Sequence, residues 1–166
     1  MSEEMIDVLD EEGKFVRKAS RGDVRKNALL HKTIHVVILN EKGKFFVQKR
    51  AANKDIWPRF YEVGVGETVI ANEDYDEAAE RGLREEIGIN AKPQLLFETK
   101  FRSEENNANI RVYKCVIKEG VTFVDKEVSE GFFVSEEKLR GMVEGKDFTP
   151  DSVHVMKKYW GLKNAR

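Results

Sequence analysis

The chain opens on two short stretches in which apolar and polar residues alternate, Met5-Ile6-Asp7-Val8-Leu9 and Lys14-Phe15-Val16-Arg17-Lys18. A period of two marks a strand with one buried face. Glu12-Gly13 between them supplies a tight turn, so the pair predicts a β-hairpin. Asp23 is placed to cap a short helix running to residue 30. Residues 31–39 are rich in β-branched side chains and predict a central strand. Asn40-Glu41-Lys42-Gly43 turns the chain back into a second strand over residues 44–50. After a loop containing Trp57-Pro58, residues 61–66 return to an extended pattern.

The period changes at Asp74. Residues 74–87 hold strong helix formers and no proline, with acid in the first turn and Gly88 where a left-handed cap belongs. Strands follow near residues 94–101, 110–117 and 131–134. Ser135 starts a helix that Gly141 or Gly145 ends, and Pro150 starts a last one through residue 159. With no repeat and no linker, the pattern predicts an α/β fold in a single domain over residues 1–166. Its expected architecture is an α/β/α sandwich with a mixed β-sheet and an N-terminal β-hairpin.

Charge and composition narrow the partners. There are 29 Lys plus Arg against 30 Asp plus Glu, a formal net charge of −1, which argues against a nucleic-acid partner. Apolar runs stop at about four residues, as in Val36-Val37-Ile38-Leu39, too short to span a membrane. The start, Met1-Ser2-Glu3-Glu4, is acidic where a secretory signal would be basic, so a cytoplasmic location is expected. Cys115 is the single cysteine, which leaves no internal disulfide, and a mid-strand cysteine of this kind usually fills a core.

The chemistry concentrates in residues 64–89, a glycine-rich strand end followed by a helix with adjacent glutamates. At about 100° per residue, positions 82, 85 and 86 share one helix face. Clustered carboxylates repel one another and suit a hard divalent cation such as Mg2+. Solvated surface glutamates beside Arg81 and Arg84 would show the same pattern.

This stretch resembles the Nudix box, G-x5-E-x7-R-E-U-x-E-E-x-G-U, where U is a bulky apolar residue. Seven residues separate Glu73 from Arg81, and Leu83, Glu85, Glu86, Gly88 and Ile89 fall in place. Two positions depart: Glu67 stands for the opening glycine, and Gly82 for the glutamate after the arginine. The lead-in strands, the Lys54-Asp55-Ile56-Trp57-Pro58 loop, the segment Glu127 to Phe132, and Phe148-Thr149-Pro150 look like the branch containing isopentenyl diphosphate isomerase and its hydrolase relatives.

The resemblance implies a Mg2+- or Mn2+-dependent hydrolase of a small-molecule diphosphate substrate, nucleotide in kind, in which water attacks a phosphorus. It assigns Glu85 and Glu86 to the metal, and the departure at Glu67 is expected to add that carboxylate to the set. Catalysis falls to Glu85 and Glu86, with Glu130 (or Glu127) as a distant carboxylate. Gly66, Glu73, Arg81 and Gly88 take structural roles in the box. Lys49, Arg50, Trp57 and Arg59 are the candidate substrate contacts. Isomerase chemistry is not expected, because Gly66 and Thr68 stand where that enzyme has its cysteine and a histidine ligand. His31, His35 and His154 read as structural, and Phe45, Phe46, Phe132 and Phe133 as core. A paired exchange is expected at Glu67 and Gly82, the carboxylate moving from helix to loop. The alternative is a nucleotide-binding or regulatory protein of the same fold without turnover, since Gly82 removes a carboxylate.

Overall fold

The computed structural model describes residues 3–118, 128–145 and 147–164. Strands β1 (Met5–Leu9) and β2 (Phe15–Ser20) form the antiparallel hairpin, and α1 (Arg21–Lys26) follows directly. The main sheet comprises β3 (His31–Asn40), β4 (Phe45–Arg50), β5 (Tyr61–Val63), β6 (Val65–Thr68), β7 (Gln94–Arg102), β8 (Asn107–Ile117) and β9 (Val128–Val134). Helix α2 (Tyr75–Ile87) lies in the middle of the chain, and α3 (Glu136–Met142) and α4 (Pro150–Asn164) close it.

The long strand β3 is the spine. It pairs in parallel with β8 over its whole length, from His31 opposite Ala108 to Asn40 opposite Ile117. Its side chains alternate between two cores, as strand geometry requires. Ile34, Val36 and Ile38 pack under α2 with Ala78, Ala79, Leu83 and Ile87. Val37 and Leu39 face the other way, onto Leu139 of α3 and Val155, Met156 and Trp160 of α4. Helices thus cover both faces of a mixed sheet, as the pattern of elements predicts.

The sheet splits along its near edge, and this split makes the site. β4 pairs with β3 only at Phe45 opposite Leu39, then turns to pair with β5 and β9. β6 takes the vacated edge of β3, from Val36 opposite Val65 to Thr33 opposite Thr68. Residues 61–66, expected as one stretch, are therefore two strands on two neighbours. Gly64 is the crossing point. Its φ is +71°, and a Cβ there would stand 1.9 Å from the Val36 carbonyl oxygen, so only glycine fits.

The first helix also differs from expectation. Its cap is Ser20, whose Oγ accepts from the Asp23 N–H at 3.2 Å, and it ends at Lys26 rather than residue 30. Tertiary bonding decides that end. The Leu30 carbonyl accepts from Leu9 N–H, and Leu29 N–H donates to Val24, so these residues turn back against β1. Among the described residues, no helix is long and apolar enough to cross a membrane.

Candidate active site

The box helix is built from its ends. The Asp74 side chain accepts from the Glu77 N–H at 2.8 Å while the Glu77 carboxylate reaches back to the Asp74 N–H, a reciprocal capping box. At the other end Gly88 adopts φ +68° and returns its N–H to Arg84. The preceding loop is clamped by Arg81. Its Nε and Nη2 donate to the two Glu73 oxygens at 2.8 and 3.0 Å, and Nη2 donates to the Thr68 carbonyl at 2.8 Å. The Glu73 Oε1 in turn accepts from the Ile70 N–H. A bidentate, half-buried pair of this kind locks loop to helix.

Around that clamp lie the remaining acids. Glu67 is largely covered and presents Oε2 to Arg81 Nη1 at 3.8 Å. Glu85, half exposed, reaches the same Nη1 at 3.3 Å. Glu86, one residue on, is buried at 3% exposure. Gly82 sits beneath Glu67: a Cβ there would meet the Glu67 Cβ at 3.4 Å and Val65 Cγ1 at 3.2 Å. Glu67, which the structure places on strand β6 rather than in a loop, thus lies over the bare helix position, with its head on the box arginine. Among the described residues no three His, Cys, Asp or Glu side chains converge closely enough to cage a metal ion. The donor chemistry nonetheless suits a hard cation, because Mg2+ is commonly held by one or two carboxylates plus substrate phosphates rather than by an all-protein cage.

On its other side Glu67 faces a cleft, with Oε1 at 4.0 Å from Arg21 Nη1. The cleft opens where β5 and β6 part. Arg21, Arg25, Arg50 and Lys54 line it together with Trp57, and Glu62, Glu67 and Asp151 are the acids among them. Arg50 donates through Nε and Nη2 to the Ile56 carbonyl, which anchors the loop that carries Trp57. Glu62 is buried at 6% exposure. Its Oε1 accepts from Gln48 Nε2 at 3.1 Å, and its Oε2 lies 3.7 Å from Arg50 Nη1. Burial pushes this carboxyl up to about 7, against the opposing pull of Arg50.

Strand alternation explains which expected residues are absent from the cleft. Arg50 and Trp57 line it. Lys49 and Glu130 are register partners on β4 and β9, one residue out of phase with Gln48 and Glu62. They point to the α4 face, where Lys49 Nζ is 3.9 Å from Glu130 and 5.3 Å from the Tyr61 ring centre. Tyr61 donates its hydroxyl to Glu130 at 3.2 Å. The structure therefore separates Glu130 and Lys49 from the cleft. Arg59, with φ +65°, is exposed and does not line the cleft either. Glu127 lies outside the described residues. Gly66 is in the cleft floor beside Glu62 and His35.

Arg21, Arg25, Lys54, Glu62 and Asp151 were not singled out in sequence. A helix capped at Asp23 leaves Arg21 outside it; the structure caps it at Ser20 instead, and only that start sets Arg21 and Arg25 on one helix face at i and i+4. Asp151 needed the fold, because α4 brings it across the molecule. The histidines bond to the chain itself. His31 Nδ1 pairs with the Leu29 carbonyl, His35 Nε2 with that of Val63, and His154 Nε2 with Thr99 Oγ1. Burial lowers His31 to about 4, so it stays neutral.

Comparison with known proteins agrees with this geometry. A model of the NUDIX domain matches residues 29–157. The chain is 30% identical over 167 residues to the uncharacterized Nudix hydrolase YfcD of Escherichia coli (strain K12), covering 99% of this chain and 91% of that protein. An uncharacterized Nudix hydrolase of Streptomyces coelicolor is 32% identical over 155 residues, covering 92% and 86%. Among solved structures, a Deinococcus radiodurans protein superposes with a TM-score of 0.79 at 21% identity, covering 93% of this chain and 98% of that one. The NUDIX domain of Shewanella oneidensis NrtR, solved with ADP ribose, gives 0.63 at 12% identity, covering 86% and 98%. Likeness at such identities speaks for the fold.

Proposed function

The chain belongs to the Nudix family of hydrolases, and on that premise we propose that it is a divalent-metal-dependent hydrolase of a nucleoside diphosphate-type substrate. One observation carries the reading: the box helix and the cation-lined cleft meet at Glu67, which faces Arg81 on one side and Arg21 on the other. Acids suited to a metal thus adjoin bases suited to a phosphate.

Glu85 and Glu86 would hold the cation, with Glu67 beside them. A bound Mg2+ or Mn2+ offsets phosphate charge and makes water a better nucleophile. The protein supplies the rest. Arg50, fixed by its bonds to Ile56, presents a guanidinium to the diphosphate. Trp57 offers an aromatic face at the cleft wall. Glu62 is the carboxylate on the cleft floor whose raised pKa suits it to exchange a proton near neutral pH.

The test is a screen of nucleoside diphosphate compounds with Mg2+ and with Mn2+, run beside the Glu86→Gln variant. That variant keeps shape and removes charge. Turnover is expected to fall by about two orders of magnitude or more, the usual scale for losing an electrostatic group at the reacting centre. Metal-dependent turnover that survives the substitution unchanged rejects the assignment.

A further inference from the structure

The N-terminal hairpin and α1 precede the residues matched by the family model, which begin at 29. Yet α1 delivers two arginines to the cleft. Arg21 and Arg25 stand at i and i+4, so they share one helix face, and both line the cleft with Arg50 and Lys54. Like charges at this spacing destabilise an isolated helix. Burial adds to that cost: the Arg25 side chain is 19% exposed and that of Arg21 27%.

The acidic partners of both arginines are half exposed or shared with another cation. Arg21 pairs with Glu4 at 3.0 Å and stands 4.0 Å from Glu67, which also serves Arg81. Arg25 has Asp55 at 3.5 Å, a half-exposed carboxylate, and donates to the Asn106 side-chain Oδ1 at 3.5 Å. Burial lowers the Arg25 pKa, Asp55 opposes this, and the charges of Arg21 and Arg50 reinforce it. The helix is also held firmly. Val24 is buried in the hairpin's own core, Ser20 caps the first turn, and the Glu3 carboxylate accepts from the Gly22 N–H at 2.7 Å. A rigid pair of crowded cations facing a cleft is a preorganised anion site.

We propose that Arg21 and Arg25 bind the terminal phosphate of the substrate, so that the enzyme acts on nucleotides ending in a free phosphomonoester rather than on capped diphosphates. This rests on the hydrolase reading above and gives that site its substrate class. The chemistry is a matter of charge. A phosphomonoester carries about −1.5 to −2 at neutral pH and offers three acceptor oxygens. A phosphate capped by a second sugar carries a single charge and fewer free oxygens. Arg50 and Lys54 match the two charges of a capped diphosphate in number, and the guanidiniums of Arg21 and Arg25 add the charge that a free phosphate end brings.

ADP and ADP-ribose test the idea, since they share the nucleoside diphosphate and differ in the cap. Calorimetric titration of the whole chain is expected to give ADP a Kd about tenfold below that of ADP-ribose. Arg25→Ala should close that gap, and Arg25→Lys, which keeps charge but loses the fork, should narrow it. Arg17→Ala, an exposed strand residue in the hairpin, should leave it intact. Circular dichroism of each variant confirms that it is folded. Equal binding of the two ligands by the parent chain, a gap that survives in Arg25→Ala, or no binding of ADP overturns the inference. Hydrolysis is measured in parallel with Mg2+. If the binding gap is present but neither nucleotide is turned over, the hydrolase reading fails and the anion site stands.

Discussion

At the scale of single residues, Glu62 shows how position overrides the ordinary chemistry of a side chain. Gln48 and Arg50 both favour its ionised form, yet burial dominates and raises its pKa to about 7 from the usual 4.5. The folded state therefore holds a proton that the unfolded chain has already lost between those values. Stability must fall as pH rises through that window, by up to about 3 kcal/mol, and level off above it. Thermal unfolding of the parent and of Glu62→Gln between pH 4.5 and 8 checks this. The parent should lose melting temperature steadily across the window, and the variant should lose much less. Gly82 carries the complementary lesson. Helix interiors disfavour glycine, but here Val65 and Glu67 approach so closely that even a methyl group would be crowded.

At the scale of elements, the short helix α1 is the most exposed to local chemistry. Six residues are too few to be helical alone, so its cap and its packing through Val24 hold it. Ser20→Ala removes the side-chain acceptor for the Asp23 N–H and is expected to cost about 1 kcal/mol. A shift in the urea midpoint with an unchanged slope is the measurement, and amide exchange should quicken first in residues 21–26. Binding of ADP should weaken with it, because Arg21 and Arg25 depend on that turn for their direction.

At the scale of the whole molecule, the site depends on a latch between the far end of the chain and its middle. The Val63 N–H donates to Ser152 Oγ at 2.8 Å, with both residues fully buried. Thr149 N–H donates to the Tyr61 carbonyl, and Tyr61 N–H to that of Asp147. These bonds seat α4 on β5 and set Asp151 in the cleft wall. Ser152→Ala leaves a buried N–H without its acceptor, which is expected to cost about 1–3 kcal/mol in denaturant unfolding. Since the latch also positions the cleft, KM should rise more than kcat falls.

Much of this protein was legible in residue order, because its signals are local. Alternation marked the hairpin, the β-branched run marked β3, and the spacing from Glu73 to Gly88 marked the box helix with its C-terminal cap. Helix spacing alone was enough to bring Arg81 and Glu85 together. What tertiary structure alone decided is the direction in which strand residues point and what crosses to meet them. Gly64 moves the chain from β4 to β3, and that one crossing makes the edge where the cleft opens. Strand phase sends Arg50 to the cleft and its neighbour Lys49, with Glu130, to the opposite face. The cleft itself gathers Arg21, Glu62 and Asp151 from three distant segments. No period in a sequence records a meeting of that kind, because it is set by how the layers pack.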